Sequence, residues 1–206
     1  MAAFPAFQQV RAAIYVPPAM NCPYCQTPLR ADAAECPACR VTFPRASSLL
    51  GALPMLHPVV SDTSRLMRSK ETARIRKRIE RLQVRFPQVV VQVVLHAFPH
   101  THPIGLYAFW VFNGGIIAGH ASRGRNNHAL LLLVDPDRGE SSLMPGYGLE
   151  PFLRPGTLEH LLELASPAWA QSRWAEGILR VLEGLDQLLE SVATPMSEMA
   201  EGDGNY

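Results

Sequence analysis

The sequence predicts an α/β protein: a three-layer α/β/α sandwich around a small mixed sheet, with a zinc ribbon at its N-terminal side. Three observations carry this. Residues 89–95, VVVQVVL, and residues 129–134, ALLLLV, are near-continuous apolar runs. A strand with one wet face alternates, so unbroken runs of this kind point to strands covered on both faces. Segments with helical apolar spacing precede and follow the first run and close the chain. Four cysteines fall in two matching pairs, Cys22-Pro23-Tyr24-Cys25 and Cys36-Pro37-Ala38-Cys39, separated by ten residues.

Of the 206 residues, 48% are apolar and 18% charged, enough to fill a core. The net charge of +1 conceals an asymmetry. Residues 65–85 carry nine Lys/Arg against Glu71 and Glu80, whereas residues 135–206 carry four Arg against thirteen Asp/Glu. Either the basic helix and the acidic half attract each other or stay solvated, or the basic segment meets an anionic partner. Gln8, Gln9 and Arg11 interrupt what would be the apolar part of a secretion signal. No apolar run reaches the roughly 18 residues of a membrane span. With all four cysteines in one metal-type cluster, a cytoplasmic protein without structural disulfides is expected.

Residues 1–20 have no clean period and read as an arm that Pro17-Pro18 terminates. Residues 21–42 are the ribbon. Each CxxC turn offers two thiolates to one ion, and four thiolates fill the tetrahedral shell of zinc, so Cys22, Cys25, Cys36 and Cys39 make a closed, structural site. A redox dithiol pair or free thiols are the other readings. A module of about 25 residues buries too little surface to fold without its metal. Residues 43–61, with Pro44, Pro54, Pro58 and Gly51, read as a linker anchored by Leu49, Leu50, Leu53 and Leu56.

Ser61 or Asp62 is a candidate helix cap. The helix behind it repeats Thr72, Ile75, Ile79, Leu82 and Phe86 at intervals of 3, 4, 3 and 4 on an otherwise Arg-rich cylinder. Nucleic acid is a conceivable partner for that basic face, Arg65 to Arg85, although no aromatics interleave it. After the valine strand, His96, His100 and His102 stand in a proline-flanked loop, as turn residues or as metal ligands. A helix from Thr101 to the Asn113-Gly114-Gly115 stop follows. Residues 119–128 read as a polar surface loop, residues 129–134 as the second buried strand, and Asp135-Pro136-Asp137-Arg138-Gly139 as a turn. Residues 141–144 are expected to return antiparallel. Two helices close the domain. Leu158, Leu161, Leu162 and Ala165 face inward on the first. Trp174, Ile178, Val181, Leu182, Leu185, Leu188, Leu189 and Val192 do so on the second. Residues 194–206 read as a disordered tail.

Taken in order, FPQVVVQVV, LYAFWVFN, NNHALLLLVDPDR, GYGLEPFL and GILRVLEGLDQLL resemble the TPM domain family over roughly residues 62–193. The most specific pieces are the LLLLV strand with its acidic turn and Gly146-Tyr147-Gly148-Leu149-Glu150. The resemblance implies the same α/β/α sandwich. Some members are acid phosphatases and some bind calcium or another divalent cation, which would place Asp135, Asp137 and Glu150 in a catalytic site with calcium or magnesium near Asp135. The chain departs from the family pattern at two acidic positions, which hold Asn126 and Arg154 here. Arg123, Arg125 and Arg154 instead suit an anion. Three functions follow as expectations. The first is a binding or assembly module for a protein or other anionic partner, without turnover. The second is a divalent-metal-dependent acid phosphatase, and the third is nucleic-acid binding through the basic helix and ribbon.

Overall fold

The computed structural model describes residues 20–30, 33–115, 128–150, 152–153 and 155–201. β1 (Met20–Asn21) pairs antiparallel with β2 (Pro28–Leu29). Then come α1 (Phe43–Leu50), β3 (Val60–Asp62), α2 (Ser69–Arg85), β4 (Val90–Leu95) and α3 (Ile104–Gly114). β5 (Ala129–Asp135), β6 (Glu140–Pro145), α4 (Pro155–Trp169) and α5 (Trp174–Glu201) complete the chain.

The main sheet has the order β3-β4-β5-β6. β3, β4 and β5 run parallel, with Val93 beside both Val60 and Leu132. β6 returns antiparallel to β5 and sets Leu143 opposite Leu132. The two unbroken apolar runs are the two central strands. Val91, Val93, Leu95, Leu130, Leu132 and Val134 face one layer, made by Ile75, Ile79 and Leu82 of α2 with Ala165 of α4 and Ile178, Leu182 and Leu185 of α5. Val94, Leu131 and Leu133 face the other layer, in which α3 contributes Leu106, Tyr107, Trp110 and Val111. Each strand is buried on both sides, which is the physical reason that neither alternates.

Several elements differ from the sequence expectation. Val60, Ser61 and Asp62 form an edge strand of the sheet rather than the end of a linker and a helix cap. Three residues are too few to show a period, and the open edge of β4 decides their conformation. Asp62 still satisfies backbone donors, accepting from Leu66 N at 3.3 Å and Met67 N at 2.7 Å. The helix proper begins at Ser69 behind Arg68, whose N–H donates to Glu71 Oε2 at 2.8 Å. The linker of residues 43–61 contains α1. Thr42 Oγ1 accepts from Arg45 N at 3.3 Å, Pro44 sits in the first turn, and Gly51 at φ 83° ends the helix. Those three residues are ordinary start and stop signals. α3 starts at Ile104 rather than Thr101. α5 runs on through residues 194–201, and residues 202–206 lie outside the described residues, as do residues 1–19 of the arm and 119–127 of the expected surface loop.

The ribbon and α1 lie against α3. A Cβ on Gly105 would meet the carbonyl oxygen of Pro23 at 2.8 Å, and one on Gly114 would meet Leu53 and Phe43 at 2.6 and 2.9 Å. The Tyr24 ring meets the His102 ring edge-on at 5.8 Å. Buried Cys22 and Cys36 share a core cluster with Val94, Leu106 and Trp110.

Candidate metal centre and the cleft beside it

The two cysteine pairs fold into near-identical knuckles. Cys22 C=O accepts from Gln26 N at 3.0 Å, and Cys36 C=O accepts from Arg40 N at 2.8 Å. One residue further on, Cys22 N donates to Thr27 O and Cys36 N to Val41 O, at 2.9 and 3.3 Å. Gln26 and Arg40 close the turns in the left-handed region, at φ 61° and 55°. This conformation costs a non-glycine residue roughly 1–2 kcal/mol, so the closure of the loops around their sulfurs must offset it.

Cys22 Sγ lies 3.5 Å from Cys39 Sγ, Cys25 Sγ lies 3.6 Å from Cys36 Sγ, and all four sulfurs fall within 4.8 Å of one another. A tetrahedral ion with metal–sulfur bonds near 2.3 Å sets its sulfurs about 3.8 Å apart. The cluster therefore fits one metal ion, and the donor set is consistent with zinc. The Thr27 hydroxyl, 3.2 Å from Cys25 Sγ, helps hold that thiol down to about 6, while burial pushes Cys39 up to about 12. Burial likewise raises Cys22, and the backbone N–H of Cys39 lowers Cys36. A divalent cation resolves this competition by making all four thiolates. Nothing in the cysteine spacing marks Thr27 beforehand.

Asp135 is fully buried and spends its carboxylate on the backbone. Oδ2 accepts from Phe98 N at 2.9 Å, and Oδ1 accepts from Asp137 N and Arg138 N at 3.0 and 3.1 Å. Asp137 is exposed and lies 3.1 Å from His100 Nε2. Arg138 completes the stitch by donating to the carbonyl oxygen of His102 at 2.7 Å and pairing with Glu140 at 2.7 Å. Glu150 is elsewhere. β6 runs back along β5, and Gly146 N donates to Ala129 O at 2.8 Å, so Glu150 follows a turn at the opposite end of that seven-residue strand from Asp135. The three carboxylates do not converge, and no single ion reaches both Asp135 and Glu150.

The three histidines do not converge either. His96 Nδ1 meets the Thr63 hydroxyl at 2.5 Å, His100 meets Asp137, and His102 packs on Tyr24. Burial lowers the pKa of His96. Among the described residues, the four cysteines are the one group of His, Cys, Asp and Glu placed to share an ion. Arg123, Arg125, Asn126 and Arg154 lie outside the described residues.

Glu150 instead lines a cleft of about 480 Å³ between the ribbon, α3 and the turn after β6. It is only 7% exposed, and burial raises its carboxyl above the usual range. Leu29, Val41 and Phe43 approach from the N-terminal side, and Phe109, Phe112 and Met144 from the sheet and α3.

On the outer surface, α2 carries paired and exposed cations side by side. Arg78 and Arg85 turn inward to Asp186 Oδ2 at 2.9 and 2.8 Å, and Arg85 also reaches Glu190. Lys70, Arg74, Lys77 and Arg81 lie exposed on the adjoining stripe, with Arg74 and Arg81 each one turn before an arginine that pairs with Asp186.

A family model described as the TPM domain matches residues 60–188. No curated protein matches the chain. Among solved structures, the N-terminal domain of a protein from P. gingivalis superposes with a TM-score of 0.53 at 21% identity, covering 66% of this chain and 84% of that one. The N-terminal domain of a Corynebacterium glutamicum protein gives a TM-score of 0.48 at 17% identity, covering 66% and 83%. The first likeness concerns the fold alone. The cysteine cluster and α1 precede the matched residues. No helix among the described residues is long and apolar enough to cross a membrane.

Proposed function

The chain belongs to the TPM domain family, and from that premise we propose that it is a binding or assembly module for a protein or other anionic partner, acting without turnover. The observation that carries the reading is the outer face of α2. Lys70, Arg74, Lys77 and Arg81 recur at intervals of 4, 3 and 4, which places them on one exposed stripe. None of them forms an ion pair among the described residues, whereas Arg78 and Arg85 are taken up by Asp186 and Glu190. The intramolecular attraction between basic and acidic segments thus takes up Arg78 and Arg85 and leaves the adjoining exposed stripe for a partner. The reading takes the cysteine-bound ion as structural zinc and, because four thiolates need a reducing compartment, the cytoplasm as the setting.

The test measures retention of the full chain on an immobilised glutamate-rich peptide, duplex DNA and RNA, at about 50 and about 200 mM salt. Retention on the acidic peptide that falls with salt, and is lost on reversing Lys70, Arg74, Lys77 and Arg81 to Glu, supports the module. Retention on nucleic acid alone replaces it with the nucleic-acid alternative. No retention on any probe overturns both.

A divalent-metal-dependent acid phosphatase is the second reading, and Glu150 favours it, since a cleft carboxyl that burial shifts above the usual carboxylate range suits a general acid. Turnover of an aryl phosphate with calcium, magnesium or manganese is the measurement. Activity surviving both Glu150→Gln and the paired change Asp135→Ala, Asp137→Ala would remove these residues from the chemistry.

A further inference from the structure

The cleft that holds Glu150 has two walls from different parts of the chain. Leu29, Val41, Phe43 and the metal-binding Cys36 belong to the ribbon and α1, which precede the family-matched residues. Phe109, Phe112 and Met144 belong to the matched domain. A ribbon of this size keeps its shape through its metal, so one wall of the cleft depends on the four cysteines. The two parts are in close contact, with the Pro23 carbonyl resting where a side chain on Gly105 would stand.

The lining selects a ligand class. Most of the surface is apolar, and its volume lies in the range of small-molecule sites. Within it stands a carboxyl more than nine-tenths buried with no hydrogen-bond partner among the described residues. The other charged or titratable groups lining the cleft are Arg30, Glu35, Tyr147 and the metal-binding Cys36. A buried carboxyl gains most from a cation, because a charge-assisted hydrogen bond in a low-dielectric site is about twice as strong as a neutral one. From this geometry we infer that the cleft binds a small apolar molecule bearing a protonated amine, with the ammonium group on Glu150 and the apolar body between α3 and the ribbon, and that it exists only while the four cysteines hold their metal.

The experiment titrates the metal-loaded full chain with phenethylamine, phenethyl alcohol and 3-phenylpropionate by calorimetry. The amine binds at least 10-fold more tightly than the alcohol, and the propionate binds weakest. The amine's advantage grows as pH rises through the Glu150 titration, because binding needs the carboxylate. Glu150→Gln brings the amine down to the affinity of the alcohol and leaves the alcohol unchanged. Met144→Trp, which adds bulk to the apolar wall, weakens both. Chelation abolishes both, and readdition of zinc restores them. Equal binding of amine and alcohol, full amine binding in Glu150→Gln, unchanged binding after chelation, or no binding of any probe would each overturn the inference.

Discussion

Asp135 and Phe98 are joined across the end of the sheet, where the buried carboxylate oxygen of Asp135 accepts the Phe98 backbone N–H at 2.9 Å. The other oxygen takes two N–H groups of its own turn. Replacing Asp135 with Ala strands three backbone donors, of which the buried ones cost about 1–3 kcal/mol each. Asp135→Ala should therefore destabilise the fold by roughly 3 kcal/mol, read from urea unfolding. Asp137→Ala, at an exposed position, should stay within about 0.5 kcal/mol. Equal losses would mean that Asp135 is not the stitch described.

Asp186 is the junction between α2 and α5. Its Oδ2 receives both Arg78 and Arg85, and its side chain is 8% exposed. Arg85 remains 41% exposed and so regains water when the pair is broken, which holds the expected cost of Asp186→Ala to about 1–2 kcal/mol, below the 3–5 of a fully buried pair. The measurement is the urea midpoint at low and high salt, and a loss under about 0.3 kcal/mol would show that the junction is only a surface pair.

Gln92 is buried in the middle of β4, and neither its Nε2 nor its Oε1 has a hydrogen-bond partner among the described residues. An unsatisfied amide in an apolar layer is a net cost. Gln92→Met keeps the volume and removes the polar atoms, so it should raise stability by about 1–2 kcal/mol. A lowered melting temperature would count against the orphaned amide.

Burial raises the Glu150 carboxyl in the folded protein. A raised value means that the folded state prefers the protonated form, so its contribution is fully present below the unfolded carboxyl value, about 4.3, and is lost as pH rises through the folded one. Glu150→Gln should match the parent near pH 4 and exceed its stability at neutral pH. Thermal unfolding across that window checks the sign.

Chelation should unfold the ribbon while the sheet and its helices persist, since β4 and β5 are buried by their own layers. The near-UV signal of Tyr24, which packs on His102, should be lost and return with zinc. Acidification should do the same, because the ligands must be thiolates. Gly105→Ala, despite favouring a helix by up to about 1 kcal/mol, should make the ribbon release its metal sooner, because the new methyl meets the Pro23 carbonyl.

Patterns confined to a few neighbouring residues were enough for much of this. Unbroken valine and leucine runs mark strands covered on both faces, and Val91 and Leu132 are each 1% exposed. The stripe of Ile75, Ile79 and Leu82 faces the core, and paired CxxC turns bring four sulfurs together. Each of these follows from local geometry, since the period of a helix, the pleat of a strand and the reach of a tight turn do not depend on distant chain.

The tertiary fold settled the rest. β3 exists because β4 offers an open edge, not because three residues prefer to be extended. The acidic turn and the glycine motif lie close in sequence, yet an antiparallel return carries Glu150 to the far end of β5 from Asp135. The cleft that Glu150 lines takes walls from segments more than 100 residues apart. Distances across a strand and walls shared between distant segments are set by how layers pack, which residue spacing does not encode.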